Sequence, residues 1–156
     1  MNRIGLGCIG MARRNEESSI RTVDTALDHG VTMFNVGELY NGGESEIVLG
    51  NALRQHHPAF RLGNADLVRK HLEFLDTPAG TVAYRLKNYA GRDDWRDIIV
   101  ILNANKADVE VTIPNGDYTI VCSDGCIDEQ GMGTLQGAKA VVSPQSALIL
   151  YMTKPR

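Results

Sequence analysis

The apolar periodicity of the chain changes at His56-His57-Pro58, and that change constrains the fold more than any single motif. Before it, short strand-like runs alternate with stretches of helical period. After it, short runs of period two follow one another, separated by Gly, Asn and Asp. A chain of 156 residues makes one ordinary domain or two small ones. The change of grammar predicts two, with residues 1–55 as an α/β fragment and residues 56–156 as an all-β domain. The expected fold class is therefore mixed: two strand-helix units followed by an antiparallel β-sandwich.

In the first half, Ile4 to Leu6 reads as a strand. Asn15 is the candidate cap of a helix whose first turn carries Glu16 and Glu17, where the helix dipole favours anions. Ile20, Val23 and Leu27 share one face, and Gly30 is placed to stop the helix. Val31-Thr32-Met33-Phe34 then reads as a buried strand. Asn41-Gly42-Gly43 turns the chain into a second helix, Glu44 to Gln55, burying Val48, Leu49, Ala52 and Leu53.

In the second half, Asn64 is the candidate cap of a short helix through Val68. Val82, Tyr84 and Leu86 alternate with polar or small residues, as do Val109, Val111 and Ile113. Ile98 to Leu102 is apolar throughout and suits a central strand. With His71 to Leu75, Tyr118 to Cys122, Lys139 to Val142 and Ala147 to Tyr151, about seven strands are expected, enough for a sandwich.

Composition removes several classes of function. Sixteen basic against nineteen acidic side chains give a net charge of -3, which argues against a nucleic-acid partner. No apolar run approaches the roughly 18 residues of a membrane helix, so no membrane partner is expected. No long apolar core follows Met1-Asn2-Arg3-Ile4-Gly5, so no secretory signal is read. Three cysteines are too few for a disulfide framework. A soluble, reduced, cytoplasmic protein is expected.

Gly5-Leu6-Gly7-Cys8-Ile9-Gly10 has the G-x-G-x-x-G spacing of a dinucleotide loop, whose glycines let the backbone approach a pyrophosphate at a helix N-terminus. Its context fails: too little chain precedes Gly5, helix signals start only at Asn15, and Glu38 lies well past the usual offset of about 20 residues. Cys122 and Cys126 are spaced to bridge a hairpin or hold a soft metal, but zinc needs two further ligands and none is suitably placed. Free thiols are expected. His56-His57, Asp93-Asp94 and Asp128-Glu129 read as solvated linker or turn residues. Tyr89 and Trp95 flank a Gly-Arg-Asp-Asp loop. Their rings offer flat faces on which sugars stack, or Trp95 pins the loop to the sandwich.

Two family resemblances join these halves. Gly5-Leu6-Gly7-Cys8-Ile9-Gly10-Met11, Ala26-Leu27-Asp28-His29-Gly30-Val31-Thr32-Met33-Phe34, Asn35-Val36-Gly37-Glu38-Leu39-Tyr40, Glu44-Ser45-Glu46 and Leu49-Gly50-Asn51-Ala52-Leu53 resemble an aldo-keto reductase over residues 3–54. The resemblance implies the first two units of an eight-unit barrel that reduces carbonyls with NADPH. Tyr40 falls on that family's proton-donor tyrosine. Asn35 stands at its catalytic aspartate, and the strands bearing its lysine, histidine and cofactor phosphate site have no counterpart. Tyr40 is therefore read as vestigial.

From residue 56 onward the chain resembles a type I pullulanase. The carrying segments are His57-Pro58-Ala59-Phe60-Arg61-Leu62, Arg69-Lys70-His71-Leu72-Glu73-Phe74-Leu75, Gly80-Thr81-Val82-Ala83-Tyr84-Arg85-Leu86-Lys87-Asn88-Tyr89, Trp95-Arg96-Asp97-Ile98-Ile99-Val100-Ile101-Leu102-Asn103-Ala104-Asn105 and Ser146-Ala147-Leu148-Ile149-Leu150-Tyr151. The resemblance implies the C-terminal β-sandwich that follows the catalytic barrel of an α-1,6-glucan debranching enzyme. The two carboxylates such hydrolysis requires belong to that barrel, and no acid here corresponds to them.

Three functional readings follow: a non-catalytic accessory β-sandwich with a truncated reductase-like N-terminus, a residual NADPH-binding oxidoreductase, and an α-glucan-binding module using Trp95 and Tyr89. The first expects no cofactor and no activity of the chain alone. The third makes α-glucan the partner. Unpaired strand edges and uncovered apolar faces predict self-association.

Overall fold

The computed structural model describes residues 5–31, 33–35, 51, 54 and 56–153. The fold is mixed, an α/β part followed by an antiparallel β-sandwich. Two compact units divide the chain: Met1–His57 together with Gly125–Gln130, and Pro58–Asp124 together with Gly131–Arg156.

In the first unit, β1 (Gly5–Gly7) and β2 (Met33–Asn35) pair in parallel, joined through helix α1 (Glu16–Asp28). Parallel pairing needs such a crossover. The helix starts at Glu16, well after Gly10, so the glycine motif does not open a helix as a dinucleotide loop requires. Asn15 occupies the N-cap position but makes no side-chain cap bond. Its Oδ1 accepts from Ala12 N at 2.9 Å and its Nδ2 donates to Gly10 O at 3.2 Å, so it ties the preceding loop instead. Gly30 ends the helix as expected, with φ of 78°. The core is Cys8, Met11, Val23 and Phe34, packed by Leu6, Ile20, Leu27 and Ile127. Burial pushes the Cys8 thiol up to about 11, so it is an inert packing group.

Ile127 comes from far along the chain. Strand β7 (Cys126–Asp128) pairs antiparallel with β2, with Met33 opposite Asp128 and Phe34 opposite Ile127. Of the expected second helix, residues 51 and 54 are helical, and the rest lies outside the described residues.

In the second unit, Asn64 caps helix α2 (Ala65–His71), its Oδ1 accepting from Leu67 N at 2.9 Å. The strands are β3 (Leu72–Phe74), β4 (Thr81–Leu86), β5 (Asp97–Asn103), β6 (Val109–Ser123), β8 (Gly133–Val142) and β9 (Ser146–Met152). They run antiparallel in the order β8-β6-β9-β5-β4-β3. The runs from Val109 and from Tyr118 are one strand. Pro114-Asn115-Gly116 does not turn the chain back but shifts its register against β8 between Thr112 and Gly116. Val111, Ile113, Ala140 and Val142 thereby close over Ala83, Ile99, Ile101, Leu148 and Leu150, with Tyr118 among them. The opposite face of β4, β5 and β9 packs Leu86, Ile98 and Val100 under Ala59 and Ala90, with Phe60, Trp95 and Tyr151 alongside. Strand β5 is therefore buried on both faces from Ile98 to Ile101, while Leu102 near its end is exposed.

Candidate functional site

The two aromatic residues singled out above sit on one loop, between β4 and β5. Asn88, Tyr89, Gly91 and Arg92 have φ of 60°, 53°, 64° and 67°, a cluster of left-handed conformations that only a well-determined surround maintains. The surround consists of carboxylates. Asp93 is buried, with Oδ1 accepting from Trp95 N at 3.0 Å and Oδ2 accepting from Ala59 N at 3.2 Å. Tyr89 N donates to Arg96 O at 2.8 Å and Arg92 N to Tyr89 O at 2.9 Å. A side chain at Gly91 would place its Cβ 2.6 Å from the Pro58 carbonyl oxygen, so the loop and the segment Pro58–Arg61 touch through backbone.

Below the loop lies an ionic network absent from the sequence reading. Asp97, only 2% exposed at its side chain, receives Arg96 Nε at 2.7 Å and Arg85 Nη2 at 3.2 Å. Asn88 N adds a backbone hydrogen bond of 3.2 Å to Oδ1. Burial would raise the Asp97 carboxyl, but the bonds from Arg96 and Arg85 outweigh it and hold the group below the ordinary carboxylate range. Glu73 continues the network to Lys87 at 3.0 Å. Sequence could have flagged this: Glu73 and Arg85 are opposite each other in β3 and β4, the arrangement that favours opposite charges.

Trp95 stacks on Tyr151 with ring centroids 4.2 Å apart and planes 8° from parallel, and packs within the cluster over β5. Tyr89 is half-buried on the same loop. Tyr40 lies outside the described residues. Three solvated readings are corrected. Asp93 is buried as an acceptor for two amides. Asp128 is fully buried in β7 and accepts from Gln130 N at 2.9 Å. His56 is exposed, as read, with Nε2 3.1 Å from Asp24 Oδ1, whereas His57 is largely buried, with Nε2 3.8 Å from Glu129 Oε1. Asp94 is exposed, as read.

Cys122 is buried and Cys126 half-buried, and neither is in a disulfide. Among the described residues no cluster of three or more His, Cys, Asp or Glu is placed to hold a metal. No described helix is long and apolar enough to cross a membrane. An open groove of about 670 Å³ runs along α1, lined by Leu6, Ser18, Thr22, Thr25 and His29. The three hydroxyls donate to helix carbonyls, Ser18 and Thr22 at 2.9 Å and Thr25 at 2.8 Å, so their protons are committed internally.

Known proteins match in two classes. Residues 68–125 match the family model for the pullulanase all-beta domain, and residues 3–66 match that for the aldo/keto reductase family. The second half of the chain thus resembles a pullulanase β-domain and the first the N-terminal part of a reductase. Pullulanase of Bacillus subtilis strain 168 is 40% identical over 79 residues, which are 50% of this chain and 11% of that protein. The aldo-keto reductase YhdN of the same strain is 37% identical over 60 residues, 35% of this chain and 18% of that protein. The solved pullulanase from Bacillus acidopullulyticus is similar with a TM-score of 0.64 at 37% identity, covering 74% of this chain and 15% of that chain. The chain therefore spans less than a fifth of each of these relatives.

Proposed function

We propose that the chain is a non-catalytic accessory module of carbohydrate metabolism, a pullulanase-like β-domain carrying a truncated reductase-like N-terminus. The observation that carries this reading is the match of most of the chain to only 15% of a solved pullulanase. The pullulanase resemblance assigns the two carboxylates of glycoside hydrolysis to the barrel, and no acid of this chain corresponds to them. Its setting is the cytoplasm, where a thiol such as that of Cys8 stays reduced. The test assays the purified chain for release of reducing ends from pullulan and for carbonyl-dependent oxidation of NADPH. Neither is expected above the Asp94→Asn and Tyr40→Phe controls, and turnover above its control in either assay overturns the reading.

A second reading, α-glucan binding through Tyr89 and Trp95, is favoured by their place on one loop whose backbone is tied by the Asp93 and Asp97 carboxylates. Retention on an insoluble α-glucan, lost in Tyr89→Ala, supports it. Passage of the unaltered chain through the column without delay overturns it.

A further inference from the structure

The register shift in strand β6 falls on Pro114-Asn115-Gly116. Pairing with β8 runs to Thr112, opposite Lys139, and resumes at Gly116, opposite Gly137. Ile113, Pro114 and Asn115 therefore face the single residue Ala138, and the ladder is locally disrupted. Pro114 has no N–H to add to it. Asn115 is exposed, and no side-chain hydrogen bond to the described residues holds its amide. Tyr118 Oη donates to the Pro114 carbonyl oxygen at 2.8 Å, so one bond spans Asn115 and Gly116.

An asparagine side chain is open to attack by the backbone nitrogen of the next residue. The nitrogen bonds to Cγ, the Cγ–Nδ2 bond breaks, and ammonia leaves with the proton that the nitrogen gives up, closing a succinimide ring. Water then opens the ring at either carbonyl. One product is aspartate. The other is isoaspartate, whose backbone runs through the side chain and is one carbon longer. Two conditions favour the attack: a nitrogen that no Cβ shields, and an amide at liberty to turn toward it. Of the described asparagines, Asn115 alone is followed by glycine. The amides of Asn15, Asn51, Asn64, Asn103 and Asn105 are held by hydrogen bonds, and Asn88 precedes the bulky Tyr89. Asn41-Gly42 lies outside the described residues. The comparable acid pair, Asp124-Gly125, is held back. Hydrogen bonds from Ser143 and Ser123 keep its carboxyl below the ordinary range, and an ionised carboxylate expels oxygen poorly.

We propose that Asn115 is a modification site, which loses its amide through a succinimide with Gly116, and that the isoaspartate product loosens Tyr118. Tyr118 is 2% exposed and packs with Val111, Ile113 and Leu150. Its hydroxyl reaches the Pro114 carbonyl only while the backbone between them keeps its length. An added backbone carbon breaks that match, and a buried hydroxyl parted from its acceptor is costly. The aspartate product keeps the length and leaves the core as it was.

Prolonged incubation of the full chain in neutral buffer, followed by peptide mapping with mass spectrometry, tests this. The expected result is conversion of the Asn115 amide to acid in both product forms, faster than at any other described asparagine. Asn115→Gln would have to close a larger ring, and it slows conversion at this position about tenfold or more. Gly116→Ala shields the nitrogen and acts in the same direction, its methyl meeting the flexible end of the Met152 side chain. Circular dichroism verifies that both variants fold, and if Gly116→Ala does not, Asn115→Gln alone decides. The isoaspartate form, separated by ion exchange, should melt below the unaltered chain, and Asn115→Asp should not. The chain unfolded in urea supplies the reference rate. An Asn115 that keeps its amide in the folded chain while converting in urea overturns the proposal, because the strand then holds the pair apart. Equal melts of the isoaspartate form and Asn115→Asp overturn the consequence for Tyr118.

Discussion

Phe34 and Ile127 stand opposite each other in an antiparallel strand pair, although one belongs to the half with helical period and the other to the half with period two. Both enter the core around Val23. The α/β part therefore does not rest on its own two strands alone. Replacing the fully buried Phe34 by Ala costs the first unit about 3–5 kcal/mol. Ile127→Asp puts a charge in the same core and acts in the same direction. Hydrogen exchange followed by mass spectrometry should show faster exchange across Glu16–Asp28 in both variants and unchanged protection in Asp97–Asn103. Equal loss in both segments would mean that the two units melt as one.

The Asp97 network makes a pH-dependent contribution. Its folded-state carboxyl lies below the ordinary range, so folding favours the ionised form. The stabilisation is present at neutral pH and is lost as pH falls through the lowered folded-state value. Asp97→Asn leaves Arg85 and Arg96 without their shared carboxylate. The cost is about 2–3 kcal/mol at pH 7, less than for a fully buried pair because both arginines reach solvent. Urea titrations of the two proteins should differ at neutral pH and converge in acid. A constant difference across the range would refute the ionic account.

Gly91 is a backbone contact rather than a spacer. Gly91→Ala brings a methyl against the Pro58 carbonyl in a left-handed conformation, and it destabilises the second unit by about 1–3 kcal/mol. The single tryptophan, Trp95, reports on the same loop, so its fluorescence transition should move to lower denaturant. Gly137→Ala, also at positive φ but with nothing within 4 Å of the added Cβ, separates conformational strain from the Pro58 contact.

Deleting residues 1–57 should leave a fragment with a cooperative melt, because the core of β4, β5, β6, β8 and β9 lies wholly within the second unit. Trp95 emission and the β signal in circular dichroism should lose structure together. A fragment unfolded in buffer would show that the second unit depends on the first.

Much of this was legible before the structure. Alternation in Val82–Leu86 and Val109–Ile113 located two strands, and the continuous run Ile98–Leu102 marked a central strand, which pairs on both sides. The runs Val109–Ile113 and Tyr118–Cys122 read as separate strands in the sequence but form one. Proline removes one ladder donor, but both flanks keep β8 as partner, so the strand is kinked and not reversed. Asp93 and Asp128 depart from the solvated reading because charge alone takes no account of local hydrogen bonding. Asp93 and Asp128 each accept an amide two residues ahead, from Trp95 and Gln130. That Asx pattern is visible in sequence as a short acid beside a turn. The pairing of β2 with β7 had no comparable signal, since three residues carry too little periodicity to announce a distant partner.

That pairing also separates the order of the sequence from the order of the parts. The chain enters the first unit, leaves it at His57, and returns for Gly125–Gln130 before finishing in the second. A protease that cuts after His57 would therefore not release a complete first unit. It would produce two polypeptides, one lacking a strand that only the other carries. The halves would behave as complementing fragments, and the joint between two ancestries would not be the seam along which the protein comes apart.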